Sequence, residues 1–321
     1  MTVSFYKISI VGIVLALLAG CSFIREKPDA GQLIIQQSVK HAIVDKTGTL
    51  AACLPEAGTP FHFRKAILVA GTLGVPYLSR DLPGLAELTS KRIQTHLEAL
   101  DRFNVLANHD SSFDTMASTT AAHVKHLGQK FASQFVVKVE IEDLTMHSTR
   151  WWLPKIIRRN NKRNVMISLY IYGTEHGALF HSQRFQTTVS GNIAGYPGNG
   201  SMVTTPWFKT TLGNKIDGIL KDMSAVINEQ LACVPFSSRV TAVEGDNIHI
   251  NAGFLQGLRP GANLRVYRNR DMLALDGTKK QRESEWWVTV NAVFPSHSIA
   301  IATQSHVGGN GLHIGDIVRA W

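Results

Sequence analysis

The hydrophobic pattern changes character at Pro235, and that change constrains what the chain can fold into. Before it, strand and helix periodicities alternate. Residues 65–72, KAILVAGT, are an apolar run ended by glycine and read as a buried strand. Residues 83–101 place Leu85, Leu88, Ile93, Leu97 and Leu100 on one helical face, with Ser79 or Asp81 positioned to cap the helix. Phe103 to Asn108 reads as a second strand, and residues 119–133, with Ala121, Val124, Leu127 and Phe131, as a second helix. Three strand-like runs follow at 134–143, 165–172 and 179–189, the last two joined by a hairpin-type turn from Gly173 to Gly177. A Gly/Thr-rich stretch, 191–206, leads to a final helix over 208–231, faced by Leu212, Ile216, Leu220, Met223, Ile227 and Leu231. The order β-α-β-α-β-β-β-α predicts one layered α/β domain over residues 61–234.

Past Pro235, short strands alternate with glycine turns. Residues 240–243 and 248–252 flank the turn EGDN as a tight hairpin, and residues 286–293 and 298–302 read as further strands. Residues 257–267 and 311–321 look like weak internal copies, each with Gly-Leu, a later glycine, then alternating apolar positions. A small all-β domain, barrel-like or SH3-like, is predicted over residues 236–321. The expected fold class is α+β.

The N-terminus sets the compartment. Residues 1–20, MTVSFYKISIVGIVLALLAG, hold one charge, Lys7, an apolar run from Ile8 to Ala19 and a small-residue end. That is the build of a secretory signal peptide, and the run is short for a membrane span. Leu18-Ala19-Gly20-Cys21 resembles the bacterial lipobox, which implies lipidation of Cys21, and Ser22 after it implies the outer membrane. Residues 21–60 then read as a lipidated tether and lead-in, at the periplasmic face. Loss of Lys7 with the signal takes 33 Lys and Arg to 32 against 24 Asp and Glu, a formal charge of +8. In the cytoplasm such an excess would suggest nucleic acid; in the periplasm the polyanions are lipid head groups, lipopolysaccharide, peptidoglycan and acidic proteins. Nucleic acid is excluded as a partner on compartment. Cys53 and Cys233 remain as an even pair in an oxidising space, in the similar settings ACLP and ACVP. A Cys53–Cys233 disulfide is expected, closing a loop of 179 intervening residues. In the chain-entropy account a bridge over so long a loop stabilises by about 4–5 kcal/mol.

Chemistry is sparse. Among 13 histidines, His123 and His126 share a helical face, but no third ligand accompanies them. Residues 191–201 are glycine-rich without the Lys-Ser/Thr of a phosphate loop. Glu140 and Glu142 share one strand face as a solvated pair. No nucleophile elbow is present, and bridged cysteines leave no Cys/His pair for nucleophilic catalysis. No catalytic residue, metal or cofactor is expected, and the chain reads as non-enzymatic.

The ordered set of motifs carries a resemblance. Residues 66–71 with Leu85, Leu88, Leu97 and Phe103 form one unit. Trp207-Phe208, Leu212-Gly213, LACVP at 231–235, Arg239-Val240, IHIN at 248–251 and GLRPG at 257–261 form the other. Together they resemble the flagellar assembly protein T (FlgT) family over roughly residues 50–321, the middle and C-terminal domains. The resemblance implies a middle domain like the N-terminal domain of TolB, a periplasmic location and a non-enzymatic structural role in a ring at the outer-membrane end of the flagellar basal body. The family's additional N-terminal domain is longer than the segment between Cys21 and Lys65, so the expected protein is a lipoprotein form lacking that full domain. Expected partners are the outer membrane through the N-terminal lipid, basal-body ring or motor-associated proteins, and other copies of itself in a ring. The alternative is a lipoprotein of envelope secretion or surface-polymer assembly.

One stretch stands apart. Residues 150–164, RWWLPKIIRRNNKRN, hold six Lys and Arg, and no acid occurs from Leu144 to Thr174. It is expected to be a long connection between the strands ending near Asp143 and beginning near Val165. Trp151 and Trp152 would anchor a contact there, with Arg158, Arg159, Lys162 and Arg163 facing an anionic envelope surface.

Overall fold

The computed structural model describes residues 63–74, 82–107, 120–148, 161–190, 205–268, 282–303 and 312–320. All of them belong to one compact unit, Gly48–Trp321.

The first half is a curled mixed sheet. β1 (Lys65–Val69) lies between β3 (Phe103–Ala107) and β4 (Phe135–Asp143), parallel to both. Beyond β4 the sheet is antiparallel, through β6 (Asn161–Gly173) to β7 (Ala178–Ser190). Two short strands extend it: β2 (Leu73–Gly74) runs beside β4, and β5 (Met146–Ser148) beside β6. After Lys65, β1 is apolar because both sides of the sheet are covered. Ile67 and Val69 face one core, whereas Leu68 and Ala70 face a second with Val136.

Three helices cover these faces. α1 (Leu85–Glu98) and α3 (Thr211–Leu231) contribute Leu85, Ile93, Leu97, Ile216, Leu220, Met223 and Ile227 to the larger core. α2 (Ala121–Lys130) packs Val124 and Leu127 on the other side. The expected side-chain cap of α1 is not realised: Gly84 occupies the N-cap position at φ 80° with no side-chain cap, and Ser79 and Asp81 lie outside the described residues. α2 and α3 follow the usual rule, with the Thr120 and Thr210 hydroxyls accepting from the His123 and Gly213 backbone N–H groups. α3 starts after a separate 3-10 turn, Thr205–Lys209, that buries Trp207 and Phe208. Only glycine allows this reversal, since a Cβ on Gly213 would lie 2.1 Å from the Trp207 carbonyl oxygen.

The connection expected from Asp143 to Val165 is shorter than its sequence implies. Met146–Ser148 pairs with Asn161–Arg163, so the polar run NKRN, residues 161–164, already belongs to β6. Alternation along β6 turns Val165, Ile167, Leu169 and Ile171 inward, and it turns Arg163 inward with them.

The second half is a closed antiparallel barrel. Its strands are β8 (Phe236–Glu244), β9 (Asn247–Ile250), β10 (Asn263–Arg268), β11 (Arg282–Val293), β12 (Ser298–Ala302) and β13 (Ile317–Ala320). They are ordered β10-β11-β12-β9-β8-β13, and β13 closes on β10. Inward side chains such as Val240, Ile250, Leu264, Val266, Val288 and Val318 fill the interior. The weak internal copies meet across the closing seam. Arg265 pairs with Arg319, each strand follows a glycine at positive φ (Gly261 at 87°, Gly315 at 93°), and Leu258 and Leu312 are both buried.

Candidate functional site

Gln134, the residue before β4, holds the two halves together. Its backbone N–H donates to the Ala66 carbonyl at 2.8 Å, and its carbonyl accepts from the Thr174 N–H at 3.1 Å. Its side-chain amide reaches the barrel, with Nε2 donating to the Pro235 carbonyl at 2.7 Å and Oε1 accepting from the Ser237 N–H at 3.2 Å. Beside it, Arg319 Nη2 lies 3.2 and 3.0 Å from the two Glu175 oxygens, joining β13 to the β6–β7 turn. Phe63 stacks on Phe236 with centroids 5.5 Å apart. The Gln134 side chain, the Arg319–Glu175 pair and the Phe63–Phe236 stack each cross from one half to the other.

These contacts frame a cleft of about 440 Å³. Phe180, Leu179, Val234, Pro235 and Ile317 form apolar walls, with Ser237, Ser238, Arg239, Asn251 and His176 among them. Volume and composition fall within the usual range for ligand and peptide sites. The β6–β7 turn packs closely on the start of α2, where a Cβ on Gly177 (φ 71°) would sit 2.2 Å from the Ala121 carbonyl oxygen.

Charges elsewhere are structural. Glu142 is held by Arg184 Nε at 2.8 Å and accepts from the Ser168 hydroxyl at 2.5 Å, and Glu140 pairs with Lys138 at 3.1 Å. The expected solvated pair is therefore a pair of ion-paired carboxylates along β4. Asp217 on α3 takes both Arg92 Nε (2.6 Å) and Nη2 (2.7 Å), and His96 Nε2 lies 2.7 Å from it, so α1 is fastened to α3. The Arg92 hydrogen bonds, then that of His96, hold its carboxyl below the ordinary range despite partial burial.

Lys65 is the exception. It is 8% exposed at the start of β1, and burial, then the neighbouring Arg102 charge, lowers its pKa to about 8. A lowered lysine pKa means the folded state binds fewer protons than the unfolded chain between pH 8 and 10.5, so stability rises with pH across that window. Lys65→Met is expected to gain about 1–2 kcal/mol at pH 7, part of the roughly 3 kcal/mol that the shift represents. It should also flatten the rise above pH 8 in urea denaturation. A loss of stability at pH 7 would contradict this.

The expected site residues separate. Cys21, Cys53, Trp151, Trp152, Arg158 and Arg159 lie outside the described residues. Cys233 follows α3 on the surface. Lys162 is exposed on β6, but Arg163 is 2% exposed and packs within the domain, so it does not join the proposed contact surface. His123 and His126 lie on α2, and no group of three His, Cys, Asp or Glu able to hold a metal ion occurs among the described residues. The Gln134 clamp and the cleft carry no motif. The available signal was the position of Gln134 just before a buried strand, which does not announce a contact 101 residues away.

A curled α/β sheet domain clamped to a closed barrel defines a two-domain α+β protein. Family models identify both halves: flagellar assembly protein T, middle domain, matches residues 80–195, and its C-terminal domain matches residues 245–320. The chain belongs to the flagellar assembly protein T family and carries these two domains, which makes it a flagellar assembly protein. No curated protein sequence matches it. Similar solved structures include the hypothetical protein CT253 of Chlamydia trachomatis (16% identity, 53% of this chain and 98% of that one, TM-score 0.38). Others are a PelC dodecamer of Paraburkholderia phytofirmans (9%, 54% and 93%, 0.31) and lipoprotein GNA1162 of Neisseria meningitidis (13%, 52% and 98%, 0.28).

Proposed function

We propose that this flagellar assembly protein is a non-enzymatic, lipid-anchored structural component of the basal-body outer ring, at the periplasmic face of the outer membrane. The observation that carries the reading is the family match over both domains in one chain. The signal-like residues 1–20 and Cys21 supply the anchor, residues 21–60 the tether, and residues 61–234 and 236–321 the docking domains. A Cys53–Cys233 bridge ties the lead-in to the end of the α/β domain. The clamped cleft suits docking to ring or motor proteins, or to neighbouring copies, because its shape is set before binding. The face of the 150–164 stretch, less Arg163, adds cations and aromatics toward the envelope.

Lipidation is tested by Cys21→Ser expressed at native level in the source cells. The substituted protein should leave the membrane fraction for the soluble periplasmic fraction, and swimming should fall. A variant that stays with the outer membrane contradicts the anchor.

A further inference from the structure

The junction between β9 and β10 displays apolar side chains instead of burying them. In its turn, Phe254–Gln256, Phe254 is 54% exposed and Leu255 43%. The β11–β12 turn is locked against it. Phe254 N–H donates to the Phe294 carbonyl at 2.9 Å, and Leu255 N–H to the Pro295 carbonyl at 3.2 Å. A Cβ on Gly253 would stand 2.0 Å from that Phe294 oxygen, so the turns touch backbone to backbone. Phe294 is itself 42% exposed, with its ring stacked on His297 at 4.4 Å. Isolated apolar residues on a surface are ordinary, but three on two interlocked turns form a rigid patch.

Two observations favour lipid as its occupant. The Arg64 N–H donates to the Gln256 carbonyl at 2.8 Å, so the N-terminal end of the described residues, the end nearer Cys21 in sequence, sits at this turn. Positive charge also stands beside it. Arg259 is exposed three residues past Gln256, and the whole chain is basic with a pI near 9.5. Bulky apolar side chains beside an arginine suit an anionic head-group boundary.

We infer that Phe254, Leu255 and Phe294 form a membrane-interface contact that seats this end of the barrel on an anionic phospholipid leaflet. The inference takes its cellular orientation from the envelope reading above, but the contact itself does not require the lipid on Cys21. Its affinity alone is weak, and beside a lipid anchor it acts at high local concentration and holds the body against the bilayer.

The test uses the mature chain with Cys21→Ser, so that no acyl group is present, and vesicles of phosphatidylethanolamine and phosphatidylglycerol. The chain is expected to float with the vesicles, and F254D/L255D/F294D to lower bound protein about tenfold. Phe254→Trp, which preserves the turn, should shift its emission to the blue when vesicles are added. Absence of flotation, equal flotation of the triple variant, or no spectral shift overturns the contact. If the triple substitution instead dissociates a dimer in light scattering and leaves flotation unchanged, the patch belongs to a second copy and the inference is wrong. Failure of the anchor reading would show separately, as membrane retention of Cys21→Ser in cells.

Discussion

Asp217→Ala is expected to lower the unfolding free energy by about 2–4 kcal/mol, short of the cost of a fully buried pair because the group is a quarter exposed. The carboxylate receives a two-pronged Arg92 fork and sits against His96, and the Arg92 guanidinium lies 5.3 Å from the Phe208 ring centroid. One side chain therefore joins α1, α3 and the turn before α3 across 125 residues of sequence. Truncation strands a partly buried guanidinium and an imidazole, and that stranding accounts for most of the loss. Urea denaturation should show a lower midpoint with an unchanged slope.

The pH dependence separates charge from shape. Because the folded carboxyl is held below its ordinary range, its contribution is complete above the unfolded value near 4 and disappears as pH falls through the folded value. Asp217→Asn, which keeps the shape, should lose stability at pH 7 and show a shallower fall toward acid than wild type. A change below about 0.5 kcal/mol in Asp217→Ala would place the network among surface ion pairs that contribute little.

Local chemistry made much of this architecture legible. The apolar run KAILVAG announced a strand covered on both sides, and Leu212, Ile216, Leu220, Met223 and Ile227 announced α3. The repeated Gly-Leu and glycine pattern announced two equivalent barrel strands, although not that Arg265 and Arg319 would pair at its seam. Where polar residues carry strand structure the pattern is silent. Residues 161–164, NKRN, read as loop, yet pairing with Met146–Ser148 draws them into β6, where Arg163 is buried. Long-range polar contacts leave no local trace at all. Nothing near Gln134 in sequence indicates Pro235 or Ser237, and nothing near Arg92 indicates Asp217.

The largest cellular effect is expected from removing the whole protein. Under the structural role proposed above, loss of the protein should appear as missing structure. Complementation then distinguishes the features: wild type restores the structure, and Cys21→Ser restores it poorly because the protein is no longer concentrated at the membrane. The most direct measurement is cryo-electron tomography of basal bodies in cells deleted for this gene, beside complemented cells. The account predicts basal bodies lacking density at the outer-membrane ring, with few swimming cells, and recovery of both on complementation. Intact outer rings and normal swimming in the deleted cells would contradict it.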